Sequence, residues 1–345
     1  MKRKGLFWLG LLLILAVVVS SAMGCGAKKE AKEESKGTEE SAGTKTEGEG
    51  KGEKKTFKVA MVLPGPISDA GWNANAYKGL MEAKDKYGIE AAYSENVHLS
   101  DFEETFRDYA SKGYDLIIGN GYEFAEVNAK VAPEFPNTWF VAINGDNFGP
   151  NYGSLQYKHW EVGYVAGALA GRMTKSGIIG FVGGMEIPSV SEPAAQYERA
   201  AKAFNPQIKA LTSYVGSWED VAKGKELALA QINAGADVLF HEADAAGTGV
   251  VQAANERGVW AIGACGDQSV IAPKVVLTSL LQESPKLVDF IVKSLIEGTI
   301  EGKVYILGFA DGVQGLAPYH EAVPEDVRKA VDQIVEDIKA GKITK

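Results

Sequence analysis

The chain has 345 residues, 46% of them hydrophobic, and a net charge of −9 at neutral pH. The acidic balance argues against DNA or any other polyanion as partner. Its two cysteines, Cys25 and Cys265, leave no disulfide framework if the first is consumed elsewhere, and a chain this long buries a core large enough to do without one.

Lys2, Arg3 and Lys4 precede an apolar run over residues 5–19, and small residues then lead to Cys25. This is the layout of a secretory signal peptide, and the run is too short for a typical membrane-spanning helix. The stretch Ala22-Met23-Gly24-Cys25 resembles a bacterial lipobox, in which the chain is cut before the cysteine and the thiol carries a lipid. Residues 1–24 are therefore expected to be a signal peptide and Cys25 the lipidation site. The protein is then expected on the extracytoplasmic face of the cell membrane, with ordinary secretion or an uncleaved anchor as alternatives. Removal of the leader with its three cations takes the charge to −12.

Residues 27–56 contain eight Lys and eight Glu among Gly, Ser, Thr and Ala, with no aromatic or branched aliphatic side chain. Nothing there can be buried to offset the entropy of ordering, so 25–56 reads as the lipidated cysteine and a disordered tether spanning roughly 30 Å. A helix built on Glu–Lys pairs is the alternative, weakened by the scattered Gly and Thr.

From Phe57 onward short apolar runs alternate with amphipathic segments. Strands are expected at 58–63, 115–119, 139–144, 178–182, 209–215, 237–241, 259–263, 275–278 and 303–309. Helices are expected at 74–87, 102–111, 162–173, 194–204, 223–234, 250–257, 286–297 and 324–340. This alternation predicts an α/β architecture with doubly wound parallel sheets, and the length favours two lobes over one. In such sheets ligands sit beyond the carboxyl ends of the strands.

The strand ends are accordingly informative. After the first expected strand come Asp69, Trp72 and Asn73 in a Gly/Pro loop that opens a helix. Asp69 is read either as a helix cap or as a ligand contact, and Trp72 either as core packing or as a stacking platform. Later strand ends carry Tyr122, Asn144, Trp218 and Asp244, and the next carries Cys265 and Asp267. Rings and hydrogen-bonding groups recurring at these positions suit a planar, polar, heteroaromatic ligand. The sequence lacks a phosphate-binding loop, a dinucleotide fingerprint, a nucleophile elbow and a zinc-protease motif. His241, Glu242 and Asp244 match no common metal-ligand spacing. No cofactor, metal or catalytic residue is assigned.

The loop Ser68-Asp69-Ala70-Gly71-Trp72-Asn73 resembles the D-x-[SG]-[FW]-N loop of the basic membrane protein (Bmp) family, the PnrA-like ABC transporter substrate-binding lipoproteins. The helix Glu161 to Ala170, with the run from Gly180 to Pro188, resembles another block of that family. The resemblance extends over residues 57–340. It implies a type I periplasmic-binding-protein fold, two Rossmann-like lobes hinged around a cleft. It further implies a chain divided mainly into 57–158 (N-terminal lobe), 159–274 (C-terminal lobe), 275–302 (N-terminal) and 303–345 (C-terminal).

As function, the resemblance implies capture of a purine nucleoside or purine base for delivery to an ABC permease and its ATPase, and a monomer is expected. It implies ligand contacts by Asp69, Trp72, Asn73, Trp218 and Asp267. This chain departs from the family where Cys265 replaces an acid, Gln282 a Lys and Asn144 an Asp. Those groups suit ribose hydroxyls, so a shift towards a free base such as adenine is expected, with Asp244 accepting from an amine or ring N–H. A sensing or signalling lipoprotein and, more remotely, a nucleosidase are the rival readings.

Overall fold

The computed structural model describes residues 55–68 and 71–345. The expected leader, Cys25, nearly all of the tether and Asp69 lie outside those residues.

The first lobe begins with β1 (Lys58–Val62), α1 (Trp72–Tyr87), β2 (Glu90–Ser94), α2 (Phe102–Ser111), β3 (Leu116–Gly119), α3 (Phe124–Val131), β4 (Trp139–Ile143) and β5 (Tyr152–Tyr157). The second contains α4 (His159–Met173), β6 (Ile178–Gly183), α5 (Pro188–Phe204), β7 (Lys209–Tyr214), α6 (Val221–Asn233), β8 (Val238–Glu242), α7 (Asp244–Arg257), β9 (Trp260–Cys265) and β10 (Val276–Gln282). The chain returns to the first lobe with α8 (Ser284–Ile296) and β11 (Val304–Leu307). It ends in the second with β12 (Gln314–Leu316) and α9 (Glu325–Lys339). The sheet orders are β11-β5-β4-β3-β1-β2 and β12-β10-β9-β8-β6-β7. Among the described residues these strands pair in parallel, except β10 with β12.

Both faces of each sheet are covered, which is why the central strands read as unbroken apolar runs. In β1, Val59 and Met61 pack into one core while Ala60 and Val62 pack into the core on the opposite face. In the second lobe Phe181 and Phe240 join one core, and Val182 and Leu239 the other. Burying each such large side chain contributes roughly 1.5–3 kcal/mol. Helix α8 seats on α1 at Gly79, where an added Cβ would lie 2.8 Å from Pro285 Cα.

The lobe boundaries differ from the expected ones after residue 274. Strand β10 completes the second sheet beside β9, so it does not return to the first lobe. The return begins at α8, and β11 extends the first sheet beside β5 instead of entering the second lobe. The pairing decides it: Leu280 of β10 registers in parallel with Ala264 of β9, and Tyr305 of β11 with Leu155 of β5.

Backbone and side-chain bonds lace the three crossings together. Lys158 N donates to Leu307 O and Glu283 N to Val313 O, both at 2.8 Å. Phe309 N donates to the buried Glu161 Oε2 at 2.7 Å. Tyr157 and Ser284 share a hydroxyl–hydroxyl bond of 3.1 Å.

Candidate functional site

A cavity of about 330 Å³ lies between the lobes, walled by residues at the carboxyl ends of strands from both sheets. The first lobe supplies Trp72, Asn73, Asn120, Tyr122, Glu123 and Asn144. The second supplies Ile187, Val190, Trp218, Glu242, Asp244, Cys265 and Gln282, and His159 stands just after the first crossing. A second cavity of about 560 Å³ shares Tyr122, Asn144 and His159 with it and runs on to Trp160, Ile306 and Lys345.

Two indoles reach the site from opposite lobes. Trp72 opens α1, its Nε1–H donates to Asn120 O at 3.0 Å, and its ring meets Tyr157 edge-on at 6.3 Å. It is half-buried against the first-lobe core, so it packs and lines the cavity at once. Asn120 Nδ2 donates to Asn73 Oδ1 at 3.2 Å, tying the β1 and β3 loops. Trp218 lies against Gly184, where any Cβ would enter its ring. Its carbonyl accepts from Ala246 N at 2.8 Å, at the start of α7. The lobes touch where Trp72 N donates to Asp244 Oδ1 at 3.5 Å.

The polar groups are acids, amides and imidazole; among the described residues no Lys or Arg lines this cavity. Glu242 ends β8, is 8% exposed, and its Oε1 is buried with no hydrogen-bond partner. Burial, reinforced by the charge of Asp244, pushes its carboxyl up to about 8. Glu123 is also raised by burial. Burial lowers His159 to about 4, so its imidazole is neutral at pH 7. Its Nε2–H donates to Asn144 Oδ1 at 3.1 Å, and Nδ1 is a buried acceptor with no partner. Asn120 Oδ1 is a third orphaned buried atom in the wall. Orphans of this kind cost about 1–3 kcal/mol each, and a cluster of them in one cavity marks a place where a ligand supplies the missing bonds.

Asn144, Asp244 and Cys265 hold positive φ of 62°, 48° and 64°. Each follows or ends a strand and turns its side chain into the site, a left-handed conformation that side-chain-bearing residues seldom adopt.

The site thus gathers Trp72, Asn73, Tyr122, Asn144, Trp218 and Asp244. Asp267 is not in its wall: its carboxylate accepts from Ser269 N at 2.9 Å, capping a short turn, and the residue is exposed. Asp69 lies outside the described residues, and the cap of α1 is Gly71. Glu242, His159, Asn120 and Glu123 were not singled out as ligand contacts from sequence. Glu242 carried a readable signal, an acid closing the apolar run Val238-Leu239-Phe240. His159 follows β5, a strand the pattern did not reveal.

The family described as "ABC transporter substrate-binding protein PnrA-like" (Bmp) matches residues 56–344. A purine-binding protein of Brucella abortus is 30% identical over 293 residues, covering 83% of this chain and 82% of that protein. The transcriptional activator protein Med of Bacillus subtilis is 29% identical over 294 residues, covering 84% of this chain and 92% of its own. Among solved structures, a solute-binding protein of an ABC transporter system from Aeropyrum pernix superimposes with a TM-score of 0.74 at 22% identity, covering 84% of this chain and 92% of that one.

Proposed function

Because the chain belongs to the Bmp family of PnrA-like ABC transporter substrate-binding proteins and has the type I periplasmic-binding fold, we propose that it captures a purine base or purine nucleoside between its lobes. The observation that carries this reading is the pairing of Trp72 and Trp218 from opposite lobes around a wall of acids and amides. Flat apolar faces suit a planar ring, and stacking on one indole contributes roughly 1–3 kcal/mol. Among the described residues no cation lines the cavity, which disfavours nucleotides and other anions, whose charge would be buried without a partner. The purine-binding relative in Brucella supports the same ligand class.

In this reading the lobes close on one ligand, Tyr122 helps to cover the ring, and Asp244 accepts from an amine or ring N–H. Asn144, Cys265 and Gln282 share the site where a nucleoside binder would hold ribose, which favours a free base such as adenine. Asp69 remains a proposed contact. The closed monomer docks on a separate permease and ATPase. Lipid on Cys25 holds it at the outer face of the membrane, with residues 25–56 as the tether. Coupling to a sensor instead of an importer is the second reading, motivated by a relative named as a transcriptional activator.

A thermal-shift screen of purine bases and nucleosides tests the ligand class. A binder at a hundred times its Kd adds about 2.7 kcal/mol of stability. No shift with any purine, or a shift with hexoses only, overturns the proposal.

A further inference from the structure

We infer that Glu242 reads the ligand as a neutral carboxylic acid, its hydroxyl donating to a ring acceptor and its carbonyl accepting from an adjacent N–H, so that the site selects purines that present one acceptor beside one donor. This rests on the purine reading above and names which purines fit it.

Three observations converge on Glu242. It closes β8 directly in the cavity wall and is more than nine-tenths buried. Its Oε1 has no hydrogen-bond partner within the protein. Its backbone is fixed beside one stacking platform, because Glu242 O accepts from Gly184 N at 2.8 Å and Gly184 packs under the Trp218 ring. Glu242 and Trp218 line the same cavity, so a purine stacked on the indole shares that cavity with this carboxyl.

The surroundings favour the neutral form. Asp244, Glu219 and Glu123 are lining acids, Cys265 and Tyr122 are lining groups that become anionic when they ionise, and His159 is neutral. His241 precedes Glu242 on the strand, but its Nε2 is engaged with Gln268 Oε1 at 2.7 Å. Among the described residues no cation lines the cavity to hold a carboxylate at Glu242. The upward shift of its pKa to about 8, caused first by burial and then by Asp244, agrees with that geometry.

A carboxylic acid offers one donor and one acceptor. It forms a paired bond with the amidine edge of adenine or the lactam edge of hypoxanthine. The N1–H and 2-amino edge of guanine presents two donors and suits an ionised carboxylate instead, so the neutral acid pairs with guanine through the lactam edge it shares with hypoxanthine.

The test is calorimetric titration of the full mature chain with adenine between pH 6.5 and 9, alongside Glu242→Gln and Glu242→Ala. The wild type is expected to lose about tenfold in affinity between pH 6.5 and 9, as one linked proton requires. Glu242→Gln keeps a donor beside an acceptor, so it is expected to bind adenine with a flat pH profile. Any slope that survives in that variant belongs to the other titrating groups. Glu242→Ala is expected to bind at least tenfold more weakly than Glu242→Gln. Adenine binding that is flat with pH in the wild type, or an unchanged slope in Glu242→Gln, overturns the inference and leaves the purine reading standing. A wild type that binds no purine at pH 6.5 overturns both.

Discussion

Trp72 and Asp244 stand on different lobes, and the backbone amide of Trp72 donates to Asp244 Oδ1 at 3.5 Å. Each opens a helix that follows the first-visited central strand of its sheet or a later one, α1 after β1 and α7 after β8. The bond is long, at the outer limit for an N–H donor, so it contributes little by itself. Its meaning is positional: the helix N-termini of the two lobes meet at the cavity, and a ligand bound there touches both.

The indoles should carry much of the affinity. Trp218→Ala is expected to weaken purine binding by about 1–3 kcal/mol, or roughly 5- to 150-fold, with Trp218→Phe losing less. Trp72→Ala should lose a similar amount and also stability, because Trp72 packs on the first-lobe core and its indole nitrogen bonds Asn120 O. Calorimetry and urea melts on the same samples separate the two effects. Unaltered affinity in both alanine variants contradicts the stacking geometry.

Stability should peak near pH 6.5. Glu242 is pushed from 4.5 to about 8, so the folded state holds a proton that the unfolded chain has released. Its contribution therefore falls as pH rises through that window, by about 1.4 kcal/mol per unit. His159 and His241, lowered from 6.5 to about 4 by burial, act with the opposite sign. Their contribution is lost as pH falls from 6.5 towards 4. Urea midpoints from pH 5 to 8.5 should show the maximum, and Glu242→Gln should abolish the alkaline decline. A wild-type midpoint that climbs steadily to pH 8 contradicts the burial argument.

The crossings should tolerate little. Glu161 Oε2 accepts from Phe309 N, and Gly308 has no room for a Cβ beside that carboxylate. Glu161→Ala orphans a buried amide and is expected to cost about 1–3 kcal/mol in urea unfolding. Because Glu161 is outside the cavity wall, binding stoichiometry should stay at one. A variant as stable as wild type would show that the third crossing is held by other bonds.

Ribose recognition should be recoverable. Cys265 and Gln282 line the same cavity, the latter only 5% exposed. The double variant Cys265→Asp with Gln282→Lys places an ion pair where a sugar's hydroxyls would lie. The affinity ratio of adenosine to adenine is expected to rise at least tenfold, as measured by competition binding. A ratio that falls or stays fixed places the ribose elsewhere.

The sequence made the central strands legible because burial on both faces leaves long apolar runs, as in Val59 to Leu63. It hid β2, β5 and β12. Strand β2 is an edge of mixed Glu, Ala, Tyr and Ser, β5 carries Gly, Ser and Gln, and β12 has three residues. Lobe membership of β10 and β11 was hidden for a different reason, since which strand a run pairs with is a long-range property. The rule of looking beyond strand ends reached Trp72, Tyr122, Asn144, Trp218 and Asp244. His159 lies outside its reach because β5 does not read as a strand, and Asp267, a contact the resemblance implies, is absent from the cavity wall because a local turn points its carboxylate at Ser269 N and leaves no trace in composition.

The most direct measurement is calorimetric titration of the mature protein with adenine, hypoxanthine, adenosine and a hexose at pH 6.5. Saturable one-to-one binding of at least one of the purines is expected, abolished or weakened by Trp218→Ala, with no heat from the hexose. Binding of the hexose alone, or of none of the four, would contradict the purine reading.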